Sequence, residues 1–122
     1  MASLEPLDPG YPLSKQMGID AAPIVLVNLC TVAPEDEQAF LSAWAADAAY
    51  MKRQPGFIST QLHRALGENP TYLNYAVFES AESWRSAFKS PEFKEIAKAH
   101  PDSAVFRPHL FQKVAVANLC TA

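Results

Sequence analysis

A chain of 122 residues, 49% of them apolar and 19% charged, suits one domain with one hydrophobic core. The net charge of −3, with no basic stripe, gives no reason to expect nucleic acid. The longest apolar stretch, Ile24 to Val32, is interrupted by Asn28 and Thr31 and is too short to cross a bilayer, and no basic n-region followed by an apolar run opens the chain.

These features predict a cytoplasmic protein with no membrane partner. Cys30 and Cys120 are the only cysteines and are expected to be free, Cys30 as a small core residue. No CxxC, HExxH, GxGxxG or P-loop occurs, so neither a metal nor a nucleotide cofactor is signalled. His63, His100 and His109 lie far apart in sequence. A metal site would need the fold to assemble them.

In chain order, residues 1–22 carry Pro6, Pro9, Gly10, Pro12 and Gly18 without periodicity and read as an irregular arm. Ile24 to Thr31 reads as a first strand. Pro34 followed by Glu35, Asp36 and Glu37 is a helix start, because acidic side chains favour the positive end of the dipole. Phe40, Leu41, Trp44, Ala48 and Met51 then recur at helical spacing and read as core. Gln54-Pro55-Gly56 ends that helix. Phe57 to Arg64 and Thr71 to Phe78 form a hairpin around the turn at Gly67 to Pro70. Ser80 is an N-cap for a helix through Phe88, and Ser90-Pro91 restarts a short one, Glu92 to Ala99. Leu110 to Val116 is expected to be the last strand, with His109 a solvated or capping group before it. Residues 118–122 form a tail, so the domain runs over residues 23–117.

The order β-α-β-β-α-β predicts an α+β, ferredoxin-like fold, an antiparallel sheet with both helices on one face. Apolar residues occupy both parities of the first strand. A sheet buried on both faces needs a second partner, and another copy of the chain makes a two-fold dimer.

Asn28 and Asn74 sit in the middle of the two most apolar strands. Strands disfavour Asn, and an unpaired amide among apolar side chains costs roughly 1–3 kcal/mol. An amide donates and accepts hydrogen bonds without charge, so the pair can hold a phenol or carbonyl, or stabilise an enolate. The competing reading is that each Asn ties down a strand end or bulge. Alternation puts Leu26, Asn28 and Cys30 on one face, and Tyr72, Asn74, Ala76 and Phe78 on one face of the third strand. The first and third strands are neighbours in this fold. Both amides are therefore expected in one cavity, with Tyr72 and Phe78 as aromatic walls. His63 is a candidate general base near neutral pH, against a half-exposed structural role.

The strings QPGFISTQLHR, LNYAVFESAESWRSAF and SPEF resemble the antibiotic biosynthesis monooxygenase domain family, over about residues 23–117. That resemblance implies a dimeric α+β barrel. Its nearest functional match is the cofactor-independent anthrone oxygenases, which oxidise a phenolic anthrone to a quinone with O2 as co-substrate. Their site uses an Asn on the first strand, an Asn on the third, and a Trp four residues after the second Asn. Asn28 and Asn74 match the amides. The Trp position falls on Phe78, which keeps an aromatic wall and loses the indole donor. The resemblance further implies substrate contacts from Trp84, where some members carry Tyr, and from Lys94, near a basic residue of some members. It implies a homodimer acting on an aromatic small molecule, with no metal or flavin.

Haem-degrading members of the superfamily use a helical Trp and an axial His. Those positions fall on Ala87 and Ala97, which removes the chief requirement. Two other functions fit the same fold, a non-oxygenative isomerase or cyclase and a non-catalytic dimeric binding domain.

Overall fold

Strings rich in Val, Ile, Leu, Tyr and Phe form the strands of this fold. The computed structural model describes residues 1–121. Its elements are β1 (Ser3–Leu4), α1 (Leu13–Gln16), β2 (Ile24–Thr31), α2 (Glu37–Lys52), β3 (Phe57–Arg64), β4 (Thr71–Phe78), α3 (Ala81–Phe88), α4 (Pro91–Ala97) and β5 (Val105–Phe111). One sheet holds all five strands in the order β1-β5-β2-β4-β3. β2 runs antiparallel to β4 and β5, β3 antiparallel to β4, and β1 parallel to β5. This is the ferredoxin-like α+β arrangement, with β2 and β4 side by side at the centre.

The helices pack on the sheet face that carries Leu26, Asn28, Cys30, Tyr72, Asn74, Ala76 and Phe78. Two buried clusters form there. One joins Ile24, Leu26, Ala76 and Phe78 to Ala81 and Trp84 of α3. The other joins Cys30, Val32 and Tyr72 to Phe40 of α2 and to Ala104. Asn28 and Asn74 lie between the two clusters, directly opposite each other in the β2–β4 register.

The last strand differs from the expected Leu110 to Val116; it spans Val105–Phe111, and residues 112–121 are exposed. Pro108 argues against a strand here, yet it sits in one. Phe106 accepts a hydrogen bond from the Glu5 N–H, and the Leu110 N–H donates to Gln16 Oε1. Backbone groups at alternate positions of β5 thus point away from β2, and Pro108 falls between these two. Its missing N–H costs no ladder bond. His109, expected to be solvated, is buried with its Nε2 3.2 Å from Gln16 Nε2. The Gln16 amide also donates to the Leu110 carbonyl at 2.9 Å, so one side chain stands in for a strand on this edge. Residues 1–22, expected to be irregular, contain β1 and α1 and pack on the domain through Gln16 and the Glu5–Arg107 ion pair.

The Gln54-Pro55-Gly56 turn requires its glycine. Gly56 has φ +85°, and a Cβ there would collide with Ser83 Oγ. Ser83 is held in place by a capping box with Ser80, which starts α3.

At the other end of the sheet, Glu37 accepts hydrogen bonds from Arg64 at 2.6 Å and from the Tyr72 hydroxyl. The Arg64 hydrogen bond, then that of Tyr72, holds the Glu37 carboxyl below the ordinary glutamate range. The folded state therefore binds this proton more weakly than the unfolded chain does. The contribution of Glu37 to stability is full above the unfolded glutamate pKa and is lost as pH falls through its lowered folded pKa. Glu37→Gln is expected to flatten that part of the acid limb of stability, measured by denaturant melts across pH; an unchanged acid limb would show the ionised contacts to be energetically neutral.

Candidate active site

The two clusters leave a gap between sheet and helices at the level of the amides. An inner chamber of about 70 Å³ opens there, lined by Asn28, Asn74, Asp47, Phe78 and Trp84 among others. Next to it lies a wider outer groove of about 430 Å³. The two share Asn28, Asp47, Phe88, Phe93, Phe106 and Pro108 as walls. The inner chamber has room for a few water-sized molecules and none for a fused-ring ligand. Only the groove has the volume and the aromatic lining for one.

The amides are not equivalent. Thr60 Oγ1 donates to Asn74 Oδ1 at 2.7 Å, which leaves the NH2 group as the end without a protein partner. Asn28 Oδ1 is buried and has no partner. Turning the Asn28 amide over would leave its NH2 in the same place, so one polar atom there is unpaired either way. Together the pair offers a donor for an oxyanion and an acceptor for a hydroxyl.

The aromatic walls come from both sides of the gap. Phe57 meets Phe78 edge-on at 5.6 Å, and Trp84 stacks on Phe88 at 4.7 Å. Lys94 lines the outer groove with Asn28. Of the residues singled out from sequence, Asn28, Asn74, Phe78, Trp84 and Lys94 thus meet around one connected space.

Tyr72 and His63 do not join them. Tyr72 has the expected parity, but it is buried against Phe40 at 4.9 Å with its hydroxyl on Glu37, and it lines neither cavity. Its position is one pair of residues too far along β4, inside the second cluster. Burial, then the hydrogen bond to Glu37, raises its pKa. His63 is exposed and shares the sheet face opposite the helices. The extra residue of a β-bulge between Phe57 and Ser59 reverses the parity of β3. Phe57 and, beyond the bulge, Thr60 line the chamber, while Ser59, Gln61 and His63 turn away.

Asp47 and His100 were not picked out from sequence as a pair. Asp47 Oδ2 lies 2.6 Å from His100 Nε2, and both side chains are largely buried. Asp47 lines the chamber and the groove, and His100 lines the groove. One signal was available for Asp47. It lies three residues after Trp44 and seven after Phe40, on the apolar stripe of α2, where a carboxylate needs a reason. Nothing local points to His100. The charge of Asp47 also reaches Cys30; burial, with that charge second, pushes the Cys30 thiol up to about 12 and leaves it neutral.

Among the described residues, no group of three or more His, Cys, Asp or Glu side chains has a metal-binding arrangement, and no helix is long and apolar enough to cross a membrane.

A split-βαβ sheet with a pocket between sheet and helices, walled by aromatics and carrying a few polar groups, defines a small-molecule site on a ferredoxin-like domain. The family model described as antibiotic biosynthesis monooxygenase matches residues 23–99, and the chain belongs to that family. It is 35% identical over 82 residues to deoxynogalonate monooxygenase of Streptomyces nogalater, covering 67% of this chain and 69% of that protein. It is also similar to the crystal structure of SnoaB, a cofactor-independent oxygenase from Streptomyces nogalater. That match has a TM-score of 0.70 at 30% identity and covers 80% of this chain and 99% of the other. A conserved protein from Methanosarcina mazei shares the fold, with a TM-score of 0.66 at 19% identity over 76% of this chain and 94% of the other.

Proposed function

We propose that the protein is a cofactor-independent monooxygenase that oxidises a phenolic, anthrone-type aromatic substrate to a quinone with O2. The observation that carries this reading is the pair of opposed amides at the chamber. Asn74 has its carbonyl held by Thr60 and its NH2 free, and Asn28 has a buried unpaired atom. The kinship with a monooxygenase and with a cofactor-independent oxygenase supports it.

The substrate's rings lie in the outer groove, between faces such as Phe88, Phe93 and Phe106. Its oxygen-bearing edge points at Asn28 and Asn74. Loss of a proton from the activated carbon gives an electron-rich enolate. The Asn74 NH2 donates to the developing oxyanion, and Asn28 accepts from a phenolic hydroxyl. The enolate passes one electron to O2. The two radicals recombine to a peroxide, which loses water to leave the quinone carbonyl. One oxygen atom enters the product and the other leaves as water. The inner chamber is large enough for O2. Phe78 keeps an aromatic wall, and Trp84 also lines the chamber.

The active form is a homodimer in this reading. Val27, Leu29, Leu73, Tyr75 and Val77 lie on the open sheet face and are only partly covered, and Ile58 is 52% exposed. Sedimentation at micromolar concentration is expected to give twice the chain mass.

The test of function is oxygen uptake by metal-stripped protein with the hydroxyanthrone dithranol. Uptake coupled to quinone absorbance, above autoxidation without enzyme, is the expected result. Substrate turnover without O2 uptake would instead identify an isomerase or cyclase.

A further inference from the structure

We propose that Asp47 is the base that removes the substrate's carbon-bound proton, and that His100 positions it. Neither residue has a role in the amide-based scheme above. Asp47 is the one carboxylate on the walls of both the chamber and the groove, so it shares the chamber with Asn28 and Asn74 and also reaches the space where the rings lie. Oδ2 is held by His100 Nε2 at 2.6 Å, while Oδ1 is buried with no partner. A half-satisfied carboxylate in an apolar pocket destabilises the fold, because its desolvation is not repaid by a second hydrogen bond. The arrangement behind it is rigid. The His100 side chain is 2% exposed and its ring is flanked by Phe40 at 5.6 Å and Phe106 at 4.7 Å. Packing therefore fixes the ring, and the ring fixes Oδ2.

The step balances without a further reagent. The C–H bond of the carbon acid breaks and its proton goes to the Asp47 carboxylate. The electron pair moves into the ring system and becomes the enolate, whose oxygen takes the Asn74 N–H. Oxygen then reacts with the enolate as above. We take the carbon acid from the proposed oxygenation, on which this step rests.

Deprotonation is separable from oxygenation. Under anaerobic conditions in D2O, an enzyme with a working base exchanges the methylene hydrogens of dithranol for deuterium, read by NMR or mass spectrometry. The wild type is expected to exchange above the rate without enzyme. Asp47→Asn, which keeps the shape and loses the base, is expected to lower that rate by about 10²-fold or more. His100→Gln keeps a donor for Oδ2, whereas His100→Ala removes it. Folded His100→Ala is expected to lose exchange that His100→Gln retains, because only the glutamine still holds the carboxylate in place.

Exchange by a folded Asp47→Asn protein within about threefold of wild type overturns the proposal, as does a wild type that exchanges no faster than the control. If Asp47→Asn does not fold, the two His100 variants decide, and equal exchange by folded His100→Gln and His100→Ala overturns the role given to the pair. Asp47-dependent exchange without any O2 uptake leaves the base in place and removes the oxygenase reading. O2 uptake that survives Asp47→Asn unchanged does the reverse.

Discussion

Asn74→Ala is expected to lower O2-dependent turnover of a hydroxyanthrone by about 10²–10³-fold, the range seen when one donor to a developing oxyanion is removed. The substitution leaves the fold intact, because Asn74 is only partly buried and its one side-chain partner is the Thr60 hydroxyl, which can turn to water. The loss falls on kcat and on kcat/KM alike if the Asn74 N–H binds the enolate more strongly than the neutral substrate. A rise in KM with kcat unchanged would make Asn74 a binding group only. Turnover unaffected in a folded variant would remove the amide pair from the mechanism. Asn28→Ala is the companion measurement. Because Asn28 Oδ1 is buried and unpaired, its loss is expected to harm turnover without lowering the melting temperature. Stability that falls as turnover does would return Asn28 to a structural role.

The second large effect is on folding. Phe40→Ala is expected to cost about 3–5 kcal/mol, the usual range for deleting a fully buried aromatic ring. Phe40 is 0% exposed and meets Tyr72, His100 and Phe106 at centroid distances of 4.9, 5.6 and 6.2 Å. For a domain of this size such a loss lowers the melting temperature by about 10 °C or more. Phe40 also backs His100, so its removal frees the ring that holds Asp47. A milder variant, Phe40→Leu, keeps most of the volume and is expected to reduce activity more than stability. Chemical denaturation with a constant m-value measures the first effect, and steady-state rates the second. A loss below about 1 kcal/mol for Phe40→Ala would mean that the neighbouring rings collapse into the space.

Legibility from sequence followed the range of the interactions. The helices announce themselves through caps and breakers that act within a turn, such as Ser80 before α3 and Pro55-Gly56 after α2. The expected Leu110 to Val116 ran past β5, and Pro108 carries no local mark of the strand it sits in. Only its neighbours show that the missing N–H points outward, where β1 and Gln16 lie.

Alternation along β2 and β4 determined which face Asn28, Asn74 and Phe78 share, since a strand's period of two is a local property. With the β-α-β-β-α-β order it also determined that β2 and β4 are neighbours, and so that the two amides meet. Tyr72 obeys the same parity, but parity does not tell how far along the strand a cavity extends. That depended on where Phe40 and Glu37 of α2 come to rest. The bulge in β3 turned His63 away and brought Thr60 in, a change of one residue with no strong local signal. The Asp47–His100 contact joins residues 53 apart in sequence, from a helix and from the segment after another. Only the packing of α4 against α2 and the sheet brings them together, because a side-chain contact of that range is set by the core around it and not by either segment's own pattern.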